Sequence, residues 1–170
     1  MNDYTITFRA YTPADTSFIQ AVYASSREME MALVPWTETE KKSFLEMQCQ
    51  AQLEHYQAHY EGAEHLIIRK DEQPIGRLYV HRTAKEIRLM DITLLPSYRN
   101  HGIGSQIIRD LMHEGDKSNR PVTLHVEIIN PDAFRLYQRL GFTAVTNKGM
   151  HMFMERLPQA ADVPQPQEII

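Results

Sequence analysis

Cysteine is nearly absent from this chain: Cys49 is the only one in 170 residues. An intrachain disulfide is therefore impossible, which suits a reducing compartment. No run approaches the 18 or so apolar residues a membrane-spanning helix needs. The start Met1-Asn2-Asp3-Tyr4-Thr5 has no basic segment followed by an apolar one, so no secretion signal is expected and a cytoplasmic location is. Basic residues are not in excess either. The 18 Lys and Arg against 22 Asp and Glu give a net charge of -4, which argues against a nucleic-acid-binding surface. Neither Gly-x-x-x-x-Gly-Lys-Ser/Thr nor Gly-x-Gly-x-x-Gly occurs, so a nucleotide triphosphatase loop and a dinucleotide fingerprint are both missing. Glycine is sparse, at seven residues, so two of them close together stand out.

What is present is an ordinary globular composition, 42% apolar and 24% charged, long enough for one core. Tyr4 to Tyr11 reads as a first strand. Thr12-Pro13-Ala14-Asp15 opens a helix with the stripe Phe18, Ile19, Val22, Tyr23. Pro35-Trp36 interrupts. Thr37-Glu38-Thr39-Glu40 has the form of a capping box for a second helix reaching about Tyr60. Within it, Cys49 follows the apolar positions Phe44, Leu45 and Leu53 and reads as a small buried hydrophobe. His55 and His59 stand four apart without a third ligand, so a solvated face is expected and no metal site.

The period then changes. Strands are predicted at His65–Lys70, Ile75–Arg82 and Glu86–Leu95, a helix from Ile103 to about Met112, and a strand at Pro121–Ile129. Asn130-Pro131-Asp132 starts a short helix to Leu140, and strands near Phe142–Thr146 and Met150–Leu157 close the chain. The order β-α-α-β-β-β-α-β-α-β-β predicts an α/β (α+β) domain over residues 1–157, with a mixed, mostly antiparallel sheet of six to seven strands and about four helices. The strand from Glu86, the helix from Ile103 and the strand from Val122 form one crossover unit. Residues 158–170, with three prolines, read as a flexible tail.

The chemistry concentrates in two segments. In Leu95-Pro96-Ser97-Tyr98-Arg99-Asn100-His101-Gly102-Ile103-Gly104 a strand enters a turn and two glycines open a helix. Backbone N–H groups at a helix start lack intrahelical partners, and the dipole adds positive charge there. Glycines let an anion reach them, so a diphosphate is the natural occupant. The second segment is Asn130-Pro131-Asp132-Ala133-Phe134-Arg135-Leu136-Tyr137-Gln138-Arg139-Leu140-Gly141-Phe142. Arg-x-x-Gly-x-Gly on a strand-to-helix turn, followed by Asn-x-x-Ala-x-x-Leu-Tyr-x-x-x-Gly-Phe, resembles the GNAT N-acetyltransferase superfamily over about residues 64–157.

That resemblance implies acetyl-CoA as cofactor and a GNAT-like sheet that splays between the strands Glu86–Leu95 and Val122–Ile129. The pantetheine arm would pair near Thr93, Leu94 and Leu95. The pyrophosphate would sit on Arg99, Asn100, His101, Gly102, Ile103 and Gly104, with Ser105 next in the helix. Asn130, followed by Ala133, Phe134 and Arg135, would meet the pantetheine arm and the adenosine end. Tyr137 would face the sulfur, where a phenol can protonate the departing thiolate.

For the base, many relatives carry a Glu where an ungapped count gives Arg88 here. Three candidates stay open: His125, which is well suited to accept a proton near neutral pH, Asp91 and Glu127. His125 and Glu127 share a strand face by alternation. The acceptor is expected to be a primary amine of a small molecule or peptide, lined by Glu28, Glu30, Met31, Trp36, Tyr79, His125 and His151, with acidic and aromatic groups drawing a cation. The alternative is a non-catalytic acyl-CoA-binding module of the same fold. Monomer and homodimer both remain open.

Overall fold

The computed structural model describes residues 3–160. It is a mixed α/β structure of seven strands, mostly antiparallel, and five helices. The chain packs as two compact units, one running to Arg82 and resuming over Leu89–Gly104, the other comprising Thr83–Arg88 and the chain from Ser105 onward.

In the first unit, β1 (Ile6–Ala10) pairs antiparallel with β2 (Glu64–Lys70), and β2 with β3 (Gln73–Arg82). β4 (Ile87–Leu94) lies beside β3. Helix α1 (Thr16–Ser25) turns Ile19, Val22 and Tyr23 inward, as its apolar stripe predicts. Helix α3 (Glu38–His59) starts on a complete capping box: the Thr37 hydroxyl accepts from Glu40 N, and the Glu40 carboxylate accepts from Thr37 N at 2.8 Å. Ile19 and Tyr23 of α1 share a core with Leu45, Cys49 and Ile67. Cys49 is buried, as its place in the helical pattern implies. His55 and His59 stack ring on ring at 4.3 Å on the exposed face.

One extra turn, α2 (Glu28–Met31), was not foreseen. Its four residues carry too little periodicity to stand out, and an Arg27–Glu30 ion pair at 3.0 Å ties its start.

α4 (Ile103–Ser118) is longer than the predicted Ile103–Met112. Its last turns are polar and contain Gly115. Gly115 is buried, and a Cβ there would stand 2.8 Å from the Arg120 carbonyl and 3.0 Å from Val122. In the second unit β5 (Val122–Glu127) pairs antiparallel with β7 (His151–Arg156), and β7 with β6 (Thr143–Asn147). Val122, Leu124 and Val126 are buried. α5 (Pro131–Arg139) precedes β6. Arg156 donates to Asp116 of α4 at 3.1 Å, and Gln159 N donates to the same carboxylate at 2.7 Å. Residues 161–170 of the predicted tail lie outside the described residues. Among the described residues no helix is long and apolar enough to cross a membrane.

Candidate active site

The first unit holds the turn and the end of β4. Pro96–Tyr98 makes one tight turn, after which Asn100 and Gly102 take positive φ values of 60° and 81°. Glycine meets that requirement at no steric cost, and asparagine tolerates it better than most residues. Asn100, His101 and Gly102 are exposed. A Cβ built on Gly102 meets nothing within 4 Å, and one on Gly104 meets only Leu94 Cδ1 at 3.9 Å. The backbone entering α4 is therefore open to a ligand.

The Arg99 side chain is engaged by the protein itself. Its guanidinium turns inward: Nε donates to the Leu94 carbonyl at 2.8 Å, and Nη2 donates to Ser25 Oγ at 3.1 Å and to the Ser25 carbonyl at 3.3 Å. The strand edge is also only partly open. Leu95 N donates to the Ile75 carbonyl at 2.8 Å, and a Cβ on Gly76 would lie 2.3 Å from the Thr93 carbonyl, so both groups face β3. Backbone alternation turns the Leu94 N–H to the opposite side.

Asp91 does not stand as a free carboxylate. Arg77, 2% exposed, grips it at 3.1 and 2.9 Å, and the Thr93 hydroxyl donates to it at 2.8 Å. Arg77 also donates to Gln52 of α3 at 2.8 Å. Burial pulls the guanidinium pKa down, but Asp91 and Tyr79 more than offset this, and the group stays charged. Both carboxylate oxygens of Asp91 are thus engaged within the protein.

The second unit carries the other candidates. His125 stands opposite Phe153 in the β5–β7 register, with ring centroids 5.1 Å apart, and Glu127 stands opposite His151. The same polar face includes Glu86, which accepts from the Thr123 hydroxyl at 2.9 Å and pairs with Arg88 at 3.0 Å. Loss of water around the ring lowers the His125 pKa below its ordinary value. Arg88, His151 and Lys148 lower it further, against an opposing pull from Glu86. His125 is thus neutral at neutral pH, with a lone pair to offer. Asn130 caps α5, its Oδ1 accepting from Ala133 N at 3.1 Å, which leaves the amide NH2 as the donor it can present. Tyr137 is half-buried, and its ring meets Phe142 edge-on at 5.7 Å. Arg135 is paired with Asp132 of its own helix.

The model of the acetyltransferase (GNAT) family matches residues 26–142, more than two thirds of the chain. The chain belongs to the GNAT acetyltransferase family. No curated protein matches its sequence. Solved structures do. A PaiA N-acetyltransferase from Thermoplasma acidophilum in complex with coenzyme A is 19% identical, with a TM-score of 0.64 over 90% of this chain and 99% of the other. Spermidine N-acetyltransferase from Vibrio cholerae, solved with CoA and spermine, is 18% identical at a TM-score of 0.58, over 89% and 95%. The ribosomal-protein-S18-alanine N-acetyltransferase from Escherichia coli is also 18% identical at 0.58, over 94% and 98%. At these identities the likeness is one of fold.

For this GNAT chain the proposed acceptor-side residues separate. Glu28 and Met31 border a cleft of about 720 Å³ together with Ser25, Leu45 and Glu46. Trp36 is 40% exposed and packs edge-on against Phe44 at 5.1 Å, bordering a different hollow. Tyr79 must be corrected: it is 1% exposed, stacked on His65 at 4.4 Å and edge-on to Tyr56 at 5.7 Å, so it belongs to the interior rather than to an open wall. Glu30 is spent on Arg27. His151 is exposed. Sequence reasoning missed Arg77 and Ser25. A lone arginine within the apolar run Ile75 to Val80 was the available signal for the first; nothing in the chain marked the second.

Proposed function

We propose that this GNAT chain moves an acetyl group from acetyl-CoA to a primary amine of a small molecule or peptide, by direct attack in a ternary complex. The observation that carries the reading is the double-glycine turn at the start of α4, where a Cβ would meet nothing at Gly102 and only Leu94 Cδ1 at Gly104, beside the N–H groups that a helix start leaves without intrahelical partners. This cradle suits a diphosphate. The thioester, when bound, supplies an acyl carbon activated toward amines. The Leu94 N–H is the donor proposed to polarise its oxygen.

His125 is the proposed base, acting directly or through water, and Tyr137 the acid for the leaving sulfur. Asn130 is proposed to offer its amide NH2 to a ligand carbonyl. Asp91 is left out of the proton path because its oxygens serve Arg77 and Thr93, and Glu127 is kept as the neighbour that shares the His125 face. Ala133 and Phe134 are assigned to the cofactor side with Asn130, and Ser105 to the first turn of α4.

Two measurements test this. Titration with acetyl-CoA followed by a panel of amines, read by release of free thiol, is expected to give turnover with at least one. Binding with no thiol release from any amine would favour the non-catalytic acyl-CoA module. The pH profile tests the base. Because the His125 pKa is depressed, its neutral form persists to lower pH than in a free histidine. kcat/KM is therefore expected to be flat through neutrality and to fall only below about pH 6.5, the unperturbed histidine value. His125→Gln should remove that acidic limb. A limb that survives the substitution would transfer the role to another group.

A further inference from the structure

The inward turn of Arg99 has a partner, Ser25, that lies outside both sequence motifs and outside the residues the family model matches. Ser25 is the last residue of α1, so its carbonyl is one of the orphaned acceptors at the negative end of the helix dipole. The Ser25 hydroxyl donates to the Val22 carbonyl at 2.7 Å, which fixes its proton and aims the oxygen lone pairs outward. Arg99 Nη2 sits at those lone pairs, 3.1 Å away, and 3.3 Å from the carbonyl. Its Nε meanwhile holds the carbonyl of Leu94, the final residue of β4, at 2.8 Å. One planar guanidinium thus ties together the end of β4, the end of α1 and the turn it belongs to. That turn has residues at positive φ on either side of His101, and Asn100, His101 and Gly102 are exposed.

We infer that Ser25 and Arg99 form a clamp that sets the shape of the double-glycine turn, making both residues positioning residues for the acetyl donor. Arg99 acts through the backbone it holds and not by reaching the diphosphate. The inference rests on the reading that this turn receives acetyl-CoA.

The test is a calorimetric titration of acetyl-CoA into native protein, Ser25→Ala, Ser25→Thr, Arg99→Gln and the Ser25→Ala/Arg99→Gln double variant. Loss of one hydrogen bond to a charged group predicts about a tenfold or greater weakening of Kd for Ser25→Ala. Ser25→Thr keeps the hydroxyl and should restore binding to within about twofold of native. The double variant should bind no worse than Arg99→Gln alone, as expected for two members of one interaction. In turnover, Ser25→Ala should raise KM for acetyl-CoA with kcat preserved, because the Nε bond to Leu94 remains. S-acetylpantetheine, which lacks the diphosphate, should serve native and Ser25→Ala equally; a general loss of structure would impair both donors alike. Native-like binding by Ser25→Ala, or an additive loss in the double variant, overturns the clamp. Failure of the native protein to bind acetyl-CoA would instead remove the functional reading beneath it.

Discussion

Replacing Gly102 and Gly104 together by aspartate is expected to weaken acetyl-CoA binding by a factor of about 100 or more, given a Coulomb repulsion of roughly 4 kcal/mol per unit charge at 4 Å in a surface site of effective dielectric 20. The geometry says the fold will tolerate the change. A Cβ at Gly102 has empty space around it, and at Gly104 it makes one ordinary contact with Leu94. The expected structural cost is confined to Gly102, whose φ of 81° lies in the left-handed region. For a non-glycine residue there the penalty is roughly 1–2 kcal/mol, and aspartate is among the residues that bear it best. The two carboxylates would then occupy the space proposed for the diphosphate and neutralise the attraction of the helix start. Isothermal titration of native and variant protein, with thermal melts as control, reads the outcome. Equal affinity in the two proteins would mean that acetyl-CoA, if it binds, does so without this turn.

The parts of the molecule visible in the sequence are those fixed by neighbours along the chain. The capping box at Thr37 and Glu40, the Asn130 cap of α5 and the positive-φ glycine of the turn each depend on residues within a few positions. Local patterning can reveal such features. The GNAT motifs are local in the same sense, which is why the fold and the double-glycine turn are legible in the sequence.

What stayed hidden depends on distant partners. Arg99 lies 74 positions from Ser25, and no periodicity connects them. Arg99 stands just before the two glycines of the turn, and the folded chain directs its guanidinium to two carbonyls and a hydroxyl. Asp91 looked like a base because acidic residues on that strand serve as bases elsewhere. Its capture by Arg77, 14 positions away on the neighbouring strand, follows from side-by-side strand placement that sequence spacing alone does not give. Gly115 lies in the part of α4 beyond the predicted end near Met112. Its actual role is to admit the Arg120 carbonyl and Val122, which is evident only once β5 is in place.

Tyr137→Phe is expected to lower kcat by about 100-fold or more, the scale on which a positioned general acid acts, with acetyl-CoA affinity nearly unchanged. The substitution suits the purpose because it removes one oxygen. The ring is half-buried and meets Phe142 edge-on at 5.7 Å, a contact that phenylalanine reproduces. Any large loss of turnover therefore belongs to the hydroxyl and not to packing of α5. The acid assignment makes a second, independent demand. If the phenol protonates the departing thiolate, the defect should shrink for acetyl donors whose thiol is more acidic, because a better leaving group needs less help. Comparing acetyl-CoA with an acetyl thioester of an aromatic thiol in both proteins measures this directly. A deficit of equal size with both donors would assign the Tyr137 hydroxyl to binding or orientation. An unchanged kcat with acetyl-CoA would move the proton to solvent, leaving His125 as the group whose titration governs the reaction.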